Sequence, residues 1–175
     1  MVKVFTLGLS KIEMGAIAQD GGMGATLAQL GYTNQNSAQL TMEIPTATEF
    51  FAEEVDDPVL VSKKAGAITF AFDIMNPAPE TLEQLMGGTA GKSDDSLTDK
   101  DQWEAPDSVS DVELSLKITP KQGYCFAVPR ASISANLTGN FAASSLMLLH
   151  VEAKVMTPTK TGTKKMTLTK VAAAS

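Results

Sequence analysis

The stretch Gly87-Gly88-Thr89-Ala90-Gly91-Lys92-Ser93 ends in the Gly-Lys-Ser that closes a phosphate-binding loop. That loop requires a glycine separated by four residues from the Gly-Lys-Ser, and the position it must occupy here holds Met86. The context is also reversed. A phosphate loop follows a buried strand and opens a helix, so that backbone N–H groups face the anion. Here the residues before the loop predict a short helix over 79–86, with Pro79 in its first turn, Glu80 and Glu83 favouring its start, and Gly87 or Gly88 at its end. Asp94 and Asp95 follow and would repel a triphosphate. The stretch reads as a loop after a helix end, not as a nucleotide site.

Other chemistry lacks parts. His150 is the only histidine and Cys125 the only cysteine, which rules out a multi-histidine or cysteine-rich metal centre and an internal disulfide framework. A Cys125–His150 dyad would need the fold to join them, but Cys125 lies in the apolar run GYCFAV, where a buried inert thiol is the plainer reading. His150 falls on the polar face of its strand, at the surface or an interface. Glu53, Glu54, Asp56 and Asp57 crowd carboxylates into FFAEEVDDP, yet this segment lacks the glycine and spacing of a calcium loop and reads as a solvated turn. The sequon Asn136-Leu137-Thr138 lies inside a predicted strand and is discounted. We expect no catalytic residue, metal or cofactor, and no enzyme.

The elements that must carry these residues follow a period of two. Ile68, Phe70, Phe72 and Ile74 alternate with Thr69, Ala71 and Asp73. The same alternation runs through 112–119, 131–138 and 147–155, and more briefly through 40–44 and 166–170, as half-buried antiparallel strands require. Turns are expected at 21–22, 34–37, 56–58, 120–123 and 139–140. Residues 24–31 are ambiguous between helix and loop. The predicted architecture is mainly β, an antiparallel sandwich or barrel with one short flanking helix, in a single domain over 1–175.

The net charge of −6 argues against a general nucleic-acid binder. No apolar run is long enough to span a membrane and no leader pattern opens the chain, so a soluble protein of a reducing compartment is expected. The charge is unevenly spread. Residues 1–113 hold 19 acidic and 6 basic residues, net −13, and residues 114–175 hold 1 acidic and 8 basic, net +7. Such a division is either balanced inside one fold or used where one copy meets another. Residues 89–111 form a long acidic loop around the single tryptophan, Trp103, which either covers its own domain or anchors into a neighbour. Residues 160–175 form a basic, threonine-rich last strand or an arm.

The order of these segments resembles the tail tube (major tail) proteins of long-tailed bacteriophages, which are related to the tube proteins of contractile injection systems. LSKIEMGAIAQDGGMG leads into an acidic EFFAEEVDDP before a strand, and then into the strand-to-helix unit FDIMNPAPETLEQLMGG; the likeness runs over roughly 8–155. It implies a virion protein whose hexameric rings stack into a hollow tube, with sheets joined around the lumen and loops or arms reaching the next ring. It implies a tape measure protein in the lumen, an initiator or baseplate and a terminator at the ends, DNA that passes without specific binding, no membrane binding by this chain, and assembly in the host cytoplasm. A terminator, a fibre-like subunit or a non-catalytic sandwich binding module are the alternatives. The candidate interface residues are Glu53, Glu54, Asp56, Asp57, Asp94, Asp95, Asp99, Asp101, Trp103, Lys160, Lys164, Lys165 and Lys170.

Overall fold

A computed structural model describes residues 4–108 and 110–171. Its strands are β1 (Leu7–Gly15), β2 (Ala28–Gln29), β3 (Gln39–Met42), β4 (Thr46–Ala52), β5 (Val55–Lys64), β6 (Ile68–Ile74), β7 (Thr89–Gly91), β8 (Gln102–Glu104), β9 (Val112–Gln122), β10 (Tyr124–Thr138), β11 (Leu148–Val155) and β12 (Thr167–Lys170). The one helix, α1, covers Pro79–Met86. Eight strands form the main sheet in the order β2-β1-β9-β10-β11-β6-β3, with β12 also on β10, and every pairing is antiparallel. The mainly β, antiparallel fold with one short helix is therefore as the alternation predicts.

The long strand β10 turns the sheet over on itself. Its first part, Tyr124–Ala127, is flanked by β12, and its last part, Ala131–Thr138, by β11. Between them its register against β9 shifts from Val128 to Ala131, around Pro129, which has no N–H to give to the ladder. The bend faces the inner sides of the two halves toward each other. Phe70 of β6 meets Phe126 of β10 edge to face, with ring centroids 5.8 Å apart. Ile68, Phe70, Phe72 and Ile74 are buried with Met14, Leu116, Val128, Leu149 and Val151 in the core so enclosed. The other side of β9 is covered as well. Ser115, fully buried, accepts a hydrogen bond from the Gly24 N–H at 2.9 Å and donates to the Pro129 carbonyl at 2.7 Å.

Helix α1 begins at Pro79 without a side-chain cap. It buries Leu85 and packs Leu82 and Met86 against the core. Gly87 ends it in a left-handed conformation (φ 77°), its N–H bonded to the Glu83 carbonyl at 3.0 Å. Gly88 repeats that conformation where a Cβ would lie 2.1 Å from the Glu104 carbonyl oxygen.

Four expectations need correction. The turn expected over 120–123 is at Gly123 alone, since β9 runs through Gln122, and residues 24–31 carry the short strand β2 and no helix. The turn near 56–58 is instead at Glu53-Glu54, and Asp56, Asp57 and Pro58 belong to β5. Between the pairs Phe50–Leu60 and Ala52–Val55, β5 carries four residues against one on β4, so Pro58 lies in a bulge that needs no ladder donor. Residues 89–111 are not one loop. They contain the small sheet β7–β8, which sets Ala90 opposite Trp103.

Candidate functional site

The feature that stands apart is the β4–β5 hairpin, a two-stranded sheet that pairs with no other strand among the described residues. Every residue of β5 is exposed, and so is every residue of β4 but Ala52. Yet its outer half exposes apolar side chains among its acidic ones. Phe50 pairs with Leu60 on one face, Val61 lies opposite Glu49 on the other, and Phe51 and Val59 lie in the bulge. Its base is polar, with Thr46, Thr48, Ser62, Lys63 and Lys64. A lone two-stranded hairpin is marginal in water, and exposed apolar residues concentrated in one element mark a surface that is covered in use.

The hairpin's direction is set at its root. Glu43 N–H donates to the Ala67 carbonyl at 2.9 Å, and the Ala67 N–H donates to the Glu43 carboxylate at 3.0 Å. Gly66 lets the two chains meet, since a Cβ there would lie 2.2 Å from the Glu43 carbonyl oxygen. The hairpin thus continues the β3–β6 ladder and projects roughly 20 Å beyond it.

The second surface is the polar face of β3, β6, β11 and the last part of β10. Register aligns Thr41, Thr69, Lys154 and Ser132 in one row, and Asp73, His150 and Asn136 in another. His150 Nδ1 lies 2.6 Å from an Asp73 carboxylate oxygen, and its Nε2 lies 3.7 Å from Glu152. The hydrogen bond to Asp73 raises the imidazole pKa above its ordinary value, with Glu152 adding to the effect. Among the described residues, this four-strand unit has two edges without a strand partner. β3 bonds only β6, and β9 leaves β10 at the Val112–Ile133 pair, so residues 134–138 lack a neighbour on that side. The loop 139–147 carries no charge and exposes Phe141, Leu146 and Met147.

The expected interface residues fall in separate elements. Glu53 and Glu54 form the hairpin turn, and Asp56 and Asp57 lie just inside it. Asp94, Asp95, Asp99 and Asp101 belong to the tip joining β7 to β8, which is closed on itself. Asp94 accepts the Ser96 N–H at 2.8 Å, Asp101 binds the Ser93 N–H at 2.7 Å and also its hydroxyl, and Lys92 donates to the Leu97 carbonyl at 2.7 Å. The Gly-Lys-Ser is therefore part of a hairpin tip. Trp103 is half-buried, and its indole N–H donates to the Gly87 carbonyl at 2.9 Å, so it covers the end of its own helix. Lys160 binds Asp20 at 2.6 Å within the chain. Lys164 and Lys165 are exposed in the loop before β12, and Lys170 lies in β12 opposite Tyr124. Residues 172–175 of the expected basic arm lie outside the described residues.

Cys125 and His150 are not brought together. Cys125 Sγ lies 3.7 Å from the Thr119 hydroxyl, whereas His150 pairs with Asn136 and bonds Asp73. Among the described residues, no group of three or more His, Cys, Asp or Glu could hold a metal ion, and no helix is long and apolar enough to cross a membrane. The exposed apolar residues of the hairpin are the candidate feature missed by sequence reasoning. Its signal was present, since Phe50-Phe51 and Val59-Leu60-Val61 flank the acidic turn on both sides. No protein-family model matches the chain, and no curated protein matches its sequence.

Proposed function

We propose that this chain is a structural subunit that self-assembles into stacked rings enclosing a hollow tube, as phage tail tube proteins do. The observation that carries this reading is the β4–β5 hairpin, which is held out from the main sheet and bears apolar residues that its own chain leaves uncovered. Head-to-tail contacts of this kind generate rings and open stacks, because the donating and accepting surfaces differ.

The unpaired edges support the same reading. The β3 edge of one copy joined to residues 134–138 of the next would extend one sheet from copy to copy. The face that such a sheet would turn to a lumen carries Thr41, Thr69, Ser132, Ser134 and Asn136, with Asp73 and Glu152 against Lys154. Small hydroxyls and few cations give passing phosphates little to hold. In this role the chain belongs to the virion tail, packs around a tape measure protein, is bounded by initiator and terminator proteins, and lets DNA pass unbound.

Negative-stain imaging of the purified chain tests the proposal. Rings or tubes are expected as concentration rises or when a tail initiator is supplied. A folded chain that stays monomeric under both conditions overturns it.

A further inference from the structure

We infer that the hairpin tip of one copy inserts into the cleft between β1 and β3 of another. The inference rests on the self-assembly proposed above and adds the receptor for the hairpin.

The cleft exists because, among the described residues, two strand edges end without partners. β2 pairs β1 only at Glu13 and Met14, which leaves Leu7–Lys11 open on that side, and β3 has no neighbour beyond β6. Between them lies a cavity of about 670 Å³, open to solvent, with half-buried Leu9, Ile118 and Phe126 over the buried Phe70 and Phe72 and the polar segment 32–36 along its side. Its own hairpin does not fill it, since the strands of that hairpin are exposed and its root is tied to the end of the β3–β6 ladder.

Apolar content and charge both favour the tip as occupant. The tip carries the apolar pair Phe50–Leu60 on one face, while on the other Val61 lies opposite Glu49. The slot's free backbone edge at Gly8–Lys11 also offers ladder hydrogen bonds to an entering strand, while the β3 edge is left to residues 134–138 of the next copy. The tip bears Glu49, Glu53, Glu54, Asp56 and Asp57, whereas the residues lining the slot include Lys11 and Lys121 and no acid. Lys11 also bonds its neighbour Glu13 at 2.9 Å, on the exposed side of β1.

The test uses the full chain in a Cys125→Ser background. Glu54→Cys in one preparation and Lys121→Cys in another are mixed, assembled and joined with a short bismaleimide; Asp107→Cys, exposed and outside the surfaces named above, replaces Lys121→Cys as the control. Expected is a two-copy product for the tip–cleft mixture and little for the control. Lys11→Glu with Lys121→Glu should raise the concentration needed for assembly about tenfold, and adding Glu53→Lys with Glu54→Lys should restore it. Circular dichroism of each variant separates lost assembly from lost folding, and the cross-link is read with native lysines apart from the labelled one. Assembly without the tip–cleft product overturns this inference and leaves self-assembly standing. A chain that sediments as a monomer at every concentration, with initiator present, overturns both.

Discussion

Ser115 links the covering segment 16–24 to the central strand β9 and to the bend of β10. Ser115→Ala would leave the Gly24 N–H and the Pro129 carbonyl without that partner, in a place the hydroxyl now fills completely. Urea unfolding should show a loss of about 2–3 kcal/mol, and an unchanged midpoint would mean the segment is held by other contacts. His150 makes stability depend on pH. Its folded-state pKa is raised chiefly by Asp73, so the protonated pair contributes fully below the unfolded value near 6.5 and fades as pH climbs through the higher folded value. With the imidazole over a third exposed, screening limits the effect to about 0.2–1 kcal/mol. The stability gap between the native chain and Asp73→Asn should therefore be larger at pH 5.5 than at pH 8.5, and thermal melts across that range would show it. A gap independent of pH would remove the ion pair from the account. That His150 faces outward was legible from alternation, but its partner Asp73 was not, because cross-strand register is invisible along the chain.

At the scale of elements, two hairpins make separable predictions. Gly66→Ala would drive a Cβ into the Glu43 backbone and re-aim the β4–β5 hairpin while leaving the buried β6 face in place. Assembly should fall with a stability loss of about 1–3 kcal/mol; retained tube formation would show that the hairpin's direction does not matter. The β7–β8 tip should be shortened within 93–100 only. A wider deletion through 110 removes β8 and Trp103, whose indole closes the end of α1, and so tests folding and not bridging. If the tip bridges rings, the short deletion should leave folded subunits that form rings but no tubes under the electron microscope. α1 was legible to the residue because Pro79 and the Gly87-Gly88 pair bound it locally. The β4–β5 turn was not, because Asp56-Asp57-Pro58 has turn composition and only pairing with β4 shows that it lies in a bulge.

At the scale of the whole molecule, the division of charge is only partly balanced within the fold. Among the described residues, Glu113–Arg130, Asp20–Lys160 and, when the imidazole is protonated, Asp73–His150 are the ion pairs that join the acidic portion to the basic one. The remaining charge is left for solvent or for another copy. If acidic tips meet basic rims, assembly followed by light scattering should weaken as salt rises from about 0.05 to 0.5 M, as screening of exposed charges requires; assembly strengthened by salt would point to apolar contact alone. The sequence by itself determined the class of fold, the buried sides of β6, β9, β10 and β11, and the helix between its proline and glycines. These follow from local period and backbone preference, which act between near neighbours in the chain. Only the tertiary structure decided that β10 bends the sheet around Pro129, that Trp103 closes its own helix, and that the Phe50–Leu60 hairpin stands clear of a phenylalanine-lined cleft. Those facts depend on which distant strands pair and where pairing stops, and alternation is the same for a strand that finds a neighbour in its own chain and for one left without.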